Sequence, residues 1–340
     1  MHMTDALLSV TVSSTMYAAS AASIAYSIAK IKKDELSEKK IPVMAVMGAF
    51  VFAAQMINFT IPGTGSSGHI GGGILLAALL GGCPALLVIS TVLIIQCLFF
   101  ADGGLLALGC NIFNMGIIPC LLVYPFLFKP ILKKKFSAGS IRIASVAASI
   151  VSLQLGAFSV VLETQASGIA ALPFGTFVML MLPIHLAIGI IEGVITAAAL
   201  SFVLKIRPEI LESAHTETVI QQTVSMRKVI TILAIVTVVT GGLLSLFASS
   251  YPDGLEWSVE KTAGEAELNA GGHLQESAAR IQEVTAFMPE YNFKSAGDEA
   301  SATGTSLAGI AGGALTFIFA WGTAMVISTV KRKCRSSRGN

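Results

Sequence analysis

The sequence predicts an all-α, polytopic membrane protein of about nine transmembrane helices, with its N-terminus outside and its C-terminus inside. Three observations point there. The first is composition. Of 340 residues, 54% are hydrophobic and only 12% charged, and the mean hydropathy is +0.77. A soluble domain is usually about a quarter charged; so apolar a chain has no polar skin to show water, whereas lipid accepts apolar surface all round a helix. The second is patterning. Apolar runs bounded by turn signals fall at 7–29, 42–58, 70–80, 84–99, 105–127, 141–161, 176–204, 229–248 and 306–328, most of them long enough to cross a hydrocarbon core. The third is charge sorting. With the N-terminus outside, alternation places 30–41, 81–83, 128–140, 205–228 and 329–340 inside, and these segments with their helix ends hold 19 of the 22 basic residues. Basic residues collect on the cytoplasmic side, and losing or adding one helix would spoil the sorting.

The first span opens with no Lys or Arg before Lys30, and with Asp5. A secretory signal opens with a basic region, so span 7–29 is expected to be a retained helix, with Met1 and His2 kept. The third span is too short to cross with ease. It follows a Gly-rich stretch, Gly63 to Gly73, and ends at Gly81-Gly82-Cys83-Pro84. Interrupted helices of that kind are tolerated where protein or a polar cavity covers the free backbone. Segments 1–205 and 229–340 read as two modules, a seven-helix unit and a two-helix hairpin, joined by a cytoplasmic linker, 206–228. The hairpin carries an external loop, 249–305, with ten acidic and three basic residues; it is expected to be small and partly ordered, and mainly solvated. The five cysteines form no CxxC pair or disulfide framework and read as small buried hydrophobes.

Few motifs could carry chemistry. Gly63-Thr64-Gly65-Ser66-Ser67-Gly68 is a literal GxGxxG, but it follows a membrane helix rather than a strand and has no βαβ context. No GxxxxGK[ST] occurs, so any ATP hydrolysis belongs to other chains. No HExxH or nucleophile–base pair suggests an enzyme. Histidines are few, and His2 and His69 map to the same side of the membrane. The Met1 amine, the His2 amide once deprotonated and the His2 imidazole offer three nitrogens, and His69 would complete a square plane of the kind that suits Ni(II) or Cu(II); a hydrogen-bonded loop histidine is the plainer reading of His69. Glu192 lies inside a span with His185 seven residues earlier on the same face, and Gln55, Asn58, Asn111 and Asn114 lie in or near spans. Ionisable groups inside a membrane are functional suspects, though Glu192 reads equally as a bond to a neighbouring helix. Ala45, Ala49 and Ala53 repeat every four residues, as do Ala18/Ala22 and Ala21/Ala25. Such faces allow close helix approach, either within the chain or towards a partner subunit.

Longer motifs add a resemblance. Met1-His2-Met3-Thr4-Asp5-Ala6-Leu7-Leu8, then Gln55-Met56-Ile57-Asn58-Phe59 with Pro62 to His69, and Phe100-Ala101-Asp102-Gly103-Gly104 through Asn111 resemble the metal-binding M subunit of nickel and cobalt energy-coupling-factor transporters, over roughly residues 1–205. Tyr251-Pro252-Asp253-Gly254-Leu255-Glu256-Trp257 resembles the small N component, so the chain looks like an M–N fusion in a cell membrane. The resemblance implies capture of Ni(II) or Co(II) from outside, for nickel enzymes or cobalamin synthesis. It implies a metal site at Met1, His2 and His69, with Asn58, Ser67, Asp102 and Asn111 as supporting residues and no cofactor. It further implies a transmembrane coupling protein and two cytoplasmic ATPases as partners, and makes Ala45, Ala49 and Ala53 the docking face for the former. The alternative is a stand-alone secondary metal transporter or channel using Glu192 and His185.

Overall fold

A computed structural model describes residues 1–31, 40–206, 211, 225–264, 268, 271–294 and 302–336. The basic stretch 32–39 and most of the linker 206–228 therefore lie outside the described residues. The chain is mostly helical, and each of the nine predicted spans contains a helix. In chain order they are α1 (Val10–Lys30), α2 (Lys40–Gln55), α3 (Gly73–Leu80) and α4 (Gly82–Phe100). Next, α5 (Leu108–Ile112) runs into a wide-turn π-helical stretch, Phe113–Phe128, and α6 (Lys129–Lys134). Then come α7 (Ala138–Ser167), α8 (Phe174–Ile206), α9 (Met226–Gly242), α10 (Gly254–Ala263), α11 (His273–Thr285) and α12 (Ala302–Ser336). Six helical rods among the described residues are long and apolar enough to cross a membrane, so the protein is a multi-pass membrane protein. The first three helices fall outside that set: α2 has 16 residues, α3 has eight, and α1 is diluted by Ser and Thr.

Local chemistry explains several of these elements. Pro119 and Pro125 lie inside the π-helical stretch; a proline has no N–H to give and crowds the preceding turn, and a wider turn absorbs both defects. α3 and α4 meet at Gly81, which makes the interrupted helix the sequence suggests. α7 and α8 pack closely because Gly189 and Gly193 are one turn apart on α8: a Cβ on Gly193 would lie 2.6 Å from the Val146 Cα, the small-xxx-small device at work. α1 meets α5 by a serine face, Ser13, Ser20 and Ser27, all buried, with Ser20 Oγ donating to the Gly109 carbonyl at 2.7 Å. The alanine repeats of α1 point outward.

Two expectations need correction. Ala45, Ala49 and Ala53 do not offer a free docking face. All three are buried, and α9 and α12 of the same chain cover them: the Ala53 Cβ lies 3.2 Å from where a Cβ of Gly241 would be, and the Ala49 carbonyl 3.8 Å from that of Gly313. Small residues on both sides let the hairpin close on α2 from within. Nor is 249–305 mainly a solvated loop. Its described part holds α10 and α11, and Leu255, Val259, Ala278 and Met288 are buried. α10 starts on a capping box: Asp253 Oδ1 accepts from the Leu255 and Glu256 amides at 2.7 and 2.9 Å, and the Glu256 carboxylate accepts from the Asp253 amide at 2.9 Å. α11 is tied down by Gln282, whose Nε2 donates to the Cys97 and Gly103 carbonyls at 3.0 and 2.9 Å.

Candidate metal-capture site

The first residues are threaded into the protein, with Met1 and Met3 buried. The Met3 amide donates to Asn111 Oδ1 at 2.8 Å, Asn111 Nδ2 donates back to the Met3 carbonyl at 3.2 Å, and the Gly104 amide donates to that same carbonyl at 2.9 Å. Asp5 Oδ1 accepts from the Ala107 amide at 3.0 Å. The Phe100-to-Asn111 motif is thus the cradle of the N-terminal segment.

His69 reaches the same place from the other side. After α2, the chain forms a hairpin of β1 (Phe59–Ile61) and β2 (Ser66–Gly68), with Thr60 opposite Ser67. Gly63 and Gly65 sit at positive φ in its turn, a conformation glycine adopts without steric cost; the GxGxxG string is a turn signal. β2 is fastened to the second module, since Ser67 Oγ donates to the Tyr251 carbonyl at 2.7 Å and its amide donates to that of Pro252 at 2.8 Å. Just past β2, Glu192 accepts from the Gly71 and Gly72 amides at 2.7 and 3.1 Å, and Gln55 Nε2 donates to the Gly71 carbonyl at 2.8 Å.

The sequence-predicted trio converges. The Met1 nitrogen lies 3.3 Å from His69 Nε2, and the His2 and His69 rings stack with centroids 5.2 Å apart and planes 22° apart. Among the described residues, no three His, Cys, Asp or Glu side chains gather closely enough to hold an ion by themselves.

The surroundings prepare these nitrogens. His69 Nδ1 contacts the Ile70 carbonyl at 3.1 Å; donating there leaves Nε2 as the lone pair facing Met1. Burial, then the neighbouring N-terminal ammonium, lowers the His69 imidazole to about 3, so it is neutral at pH 7. Burial also lowers His2, against the pull of Asp102. The His2 ring has an acceptor on each side: Asp102 Oδ1 3.2 Å from Nδ1 and Gln96 Oε1 3.3 Å from Nε2. A neutral imidazole has only one proton to give. With Nε2–H donated to Gln96, the Nδ1 lone pair faces the Asp102 carboxylate; with Nδ1–H donated to Asp102, the Nε2 lone pair faces the Gln96 carbonyl.

The structure adds residues that sequence reasoning missed. Asp253, from the N-type loop, pairs with the Met1 ammonium and lies 4.0 Å from His69 Nε2. Burial alone would raise its carboxyl; the ammonium, His69 and hydrogen bonds overcome this and hold it below its ordinary range. The Asp253 charge and burial push Glu256 up to about 7. Gln96 orients His2 and donates to Gln55 Oε1 at 2.9 Å. Tyr291 bonds Asp102 through its hydroxyl. A second deep acid, Glu163, accepts from Asn114 Nδ2 at 2.8 Å; span 141–161 stopped short of it, whereas α7 runs on to Ser167. The D-x-x-E spacing of Asp253 and Glu256 was the available signal for the α10 cap, but nothing local revealed that the other Asp253 oxygen reaches Met1. Of the supporting residues, Asp102 touches His2, Asn111 anchors Met3 and Ser67 fastens β2. Asn58 acts through its carbonyl, which accepts from the Ser249 amide at 2.7 Å.

Among the described residues, six helices long and apolar enough to cross a membrane, with Met1, His2 and His69 gathered among them, define a multi-pass membrane protein. Residues 2–210 match the CbiM family, the cobalt uptake substrate-specific transmembrane region, and residues 227–329 match the PDGLE domain. The chain belongs to the CbiM family and is a cobalt/nickel transport membrane protein of CbiM type, fused to a PDGLE domain. It is 35% identical over 216 residues, 62% of this chain and 68% of the other, to an Archaeoglobus fulgidus protein provisionally named fused nickel transport protein NikMN. It is 31% identical over 175 residues, 50% of this chain and 76% of the other, to the cobalt transport protein CbiM of Sorangium cellulosum. The crystal structure of a truncated transition metal transporter superposes with a TM-score of 0.53 at 29% identity, covering 60% of this chain and 99% of that one.

Proposed function

We propose that this chain is the substrate-capture subunit of an ATP-driven energy-coupling-factor importer for Ni(II) or Co(II). The observation that carries this reading is the convergence of Met1, His2 and His69 in one buried place. The ion is taken by four nitrogens: the Met1 amine, the His2 amide after loss of its proton, His2 Nδ1 and His69 Nε2. Nδ1 is the His2 nitrogen that closes a six-membered chelate with its own amide, and it is the one facing Asp102. Gln96 then holds Nε2–H, orienting the ring in the way ligating histidines are commonly held. Asp102 and Asp253 supply negative charge beside the ion, and Met3, Asn111 and Gly104 fix the segment that carries the first two residues.

The division into a capture module, 1–205, and a hairpin module, 229–340, gives the hairpin a task. Its Asp253 and Tyr291 reach the capture site, so it completes the wall around the ion. A coupling protein and two ATPase subunits supply the energy, in keeping with the missing P-loop. The second reading, a stand-alone secondary transporter, draws on the cavity that runs from His69 to His185 and Glu192. Reconstitution in liposomes separates the two. Accumulation of radioactive nickel or cobalt is expected only with the partner subunits and internal ATP. Accumulation by this chain alone, driven by an ion gradient, would overturn the importer reading.

A further inference from the structure

Helix α4 ends at Phe100, and the last turn of a helix leaves carbonyls without a partner in the helix. The PDGLE domain takes up two of these. Gln282 Nε2 donates to the Cys97 carbonyl at 3.0 Å, and the Phe287 and Met288 amides donate to the Phe99 carbonyl at 3.2 and 3.4 Å. The same Gln282 side chain grips the loop that follows. Its Nε2 also donates to the Gly103 carbonyl at 2.9 Å, and its Oε1 accepts from the Leu105 amide at 3.3 Å. Gln282 is 9% exposed, so its amide is spent on this helix end and loop. Tyr291 adds its hydroxyl to Asp102 and stacks on Phe100, with ring centroids 5.1 Å apart. The joint also holds strained backbone. Among the described residues, the non-glycine residues at positive φ are Ala101, Glu290 and Tyr291, and all of them lie here. Such conformations persist only where the surroundings over-determine them.

The gripped loop is the wall against which His2 lies. Asp102 Oδ1 is 3.2 Å from His2 Nδ1, a Cβ on Gly103 would lie 3.3 Å from the His2 Cβ, and the Gly104 amide holds the Met3 carbonyl. We propose that Gln282 is a positioning residue for metal capture: by clamping 103–105 to the end of α4, it fixes Asp102 against His2 Nδ1 and so sets the orientation of the His2 ring. The inference rests on the reading of His2 as a metal ligand. Gln282 acts through the loop, with its hydrogen bonds going to the main chain of Cys97, Gly103 and Leu105. A primary amide suits the task, because it donates twice and accepts on its oxygen, whereas a carboxylate would only accept and would face two carbonyls. Gln275, seven residues earlier on the same buried stripe of α11, donates instead to the Leu8 carbonyl at 3.4 Å, outside this loop.

The test uses the full chain in detergent, as wild type, Gln282→Met, Gln282→Asn, Gln275→Met, Asp102→Asn and the double variant of Gln282→Met with Asp102→Asn. Two quantities are read: the imidazole NMR signals of His2 in metal-free protein with nitrogen-labelled histidine, and Ni(II) affinity by calorimetry. Gln282→Met keeps the length of the side chain and removes its hydrogen bonds. It should move and broaden the His2 signals and weaken Ni(II) binding about 10-fold. Gln282→Asn draws the amide back by one methylene; it should do the same to a smaller extent, and it stands in if the Met variant does not fold. Gln275→Met should leave both quantities as in wild type. Because Gln282 acts through Asp102, the double variant should bind within about 3-fold of Asp102→Asn alone, whereas independent effects would multiply. Unmoved His2 signals in the Gln282 variants, equal losses in Gln275→Met, or losses that multiply in the double variant overturn the proposal and leave the capture site standing. A wild type that binds no Ni(II) sinks the capture reading instead, and the His2 signals of the Gln282 variants then decide the positioning by themselves.

Discussion

Replacing Asp102 by Asn leaves the shape of the capture site intact and removes one charge. The wild-type carboxylate lies 3.2 Å from His2 Nδ1, and a metal–imidazole bond is about 2 Å, so a captured ion sits within about 5 Å of the carboxylate. At an effective dielectric constant of about 20, one unit-charge pair at about 5 Å is worth about 3 kcal/mol. A divalent ion with one deprotonated amide carries a net single positive charge. Asp102 is 23% exposed, so solvent screens part of that energy, leaving about 1.5–3 kcal/mol, or roughly 10- to 100-fold in dissociation constant. Calorimetric titration of Ni(II) and Co(II) into wild type and Asp102→Asn measures this directly. Tyr291→Phe, which removes only the hydroxyl on Asp102, should cost less, about 3-fold. An Asp102→Asn protein that binds metal as tightly as wild type would refute the placement of the ion on Nδ1 beside the carboxylate.

Two further outcomes follow from the same geometry. Above about pH 6.5 both His2 and His69 are neutral, because burial lowers both, so neither imidazole competes for protons there. The His2 amide gives up one proton on binding. Affinity should therefore rise as pH rises, by at least about 10-fold per pH unit, about 1.4 kcal/mol; titrations between pH 6.5 and 7.5 that show a flat affinity exclude amide ligation. Ala53→Leu overpacks the seam between α2 and α9, where the Ala53 side chain is fully buried. It should cost about 1–3 kcal/mol and lower the thermal unfolding midpoint, whereas Ala21→Leu on the exposed face of α1 should leave the midpoint in place.

The helical bundle was legible because lipid imposes a simple code. An apolar run of about twenty residues has one stable conformation in a bilayer, and basic residues sort to one side. The proximity of Met1, His2 and His69 was legible because Met1-His2 is a chelating pair by covalent geometry alone, and His69 lies on a loop expected on the same side. What stayed hidden was long-range. Ala45, Ala49 and Ala53 announce close packing, but small residues carry no information about which helix approaches, and Gly241 and Gly313, which meet Ala53 and Ala49, lie 188 and 264 residues further along the chain. The acidic composition of 249–305 suggested solvation, because α11 buries only a thin stripe, Gln275, Ala278 and Gln282. Asp253 looks like a helix cap in sequence and is one; its second oxygen finds Met1 only once α10 has docked on β2 and α8.

The central claim is that the free amine at Met1 is a metal ligand, and one titration tests it most directly. Nickel and cobalt binding is measured on protein with its native N-terminus and on protein with one extra residue before Met1. The extension keeps every side chain and moves only the amine. The account expects tight binding to collapse in the extended protein, with the tighter-binding metal of the native protein marking the preferred substrate. Tight binding that survives the extension would contradict it, because the amine could then take no part in holding the ion.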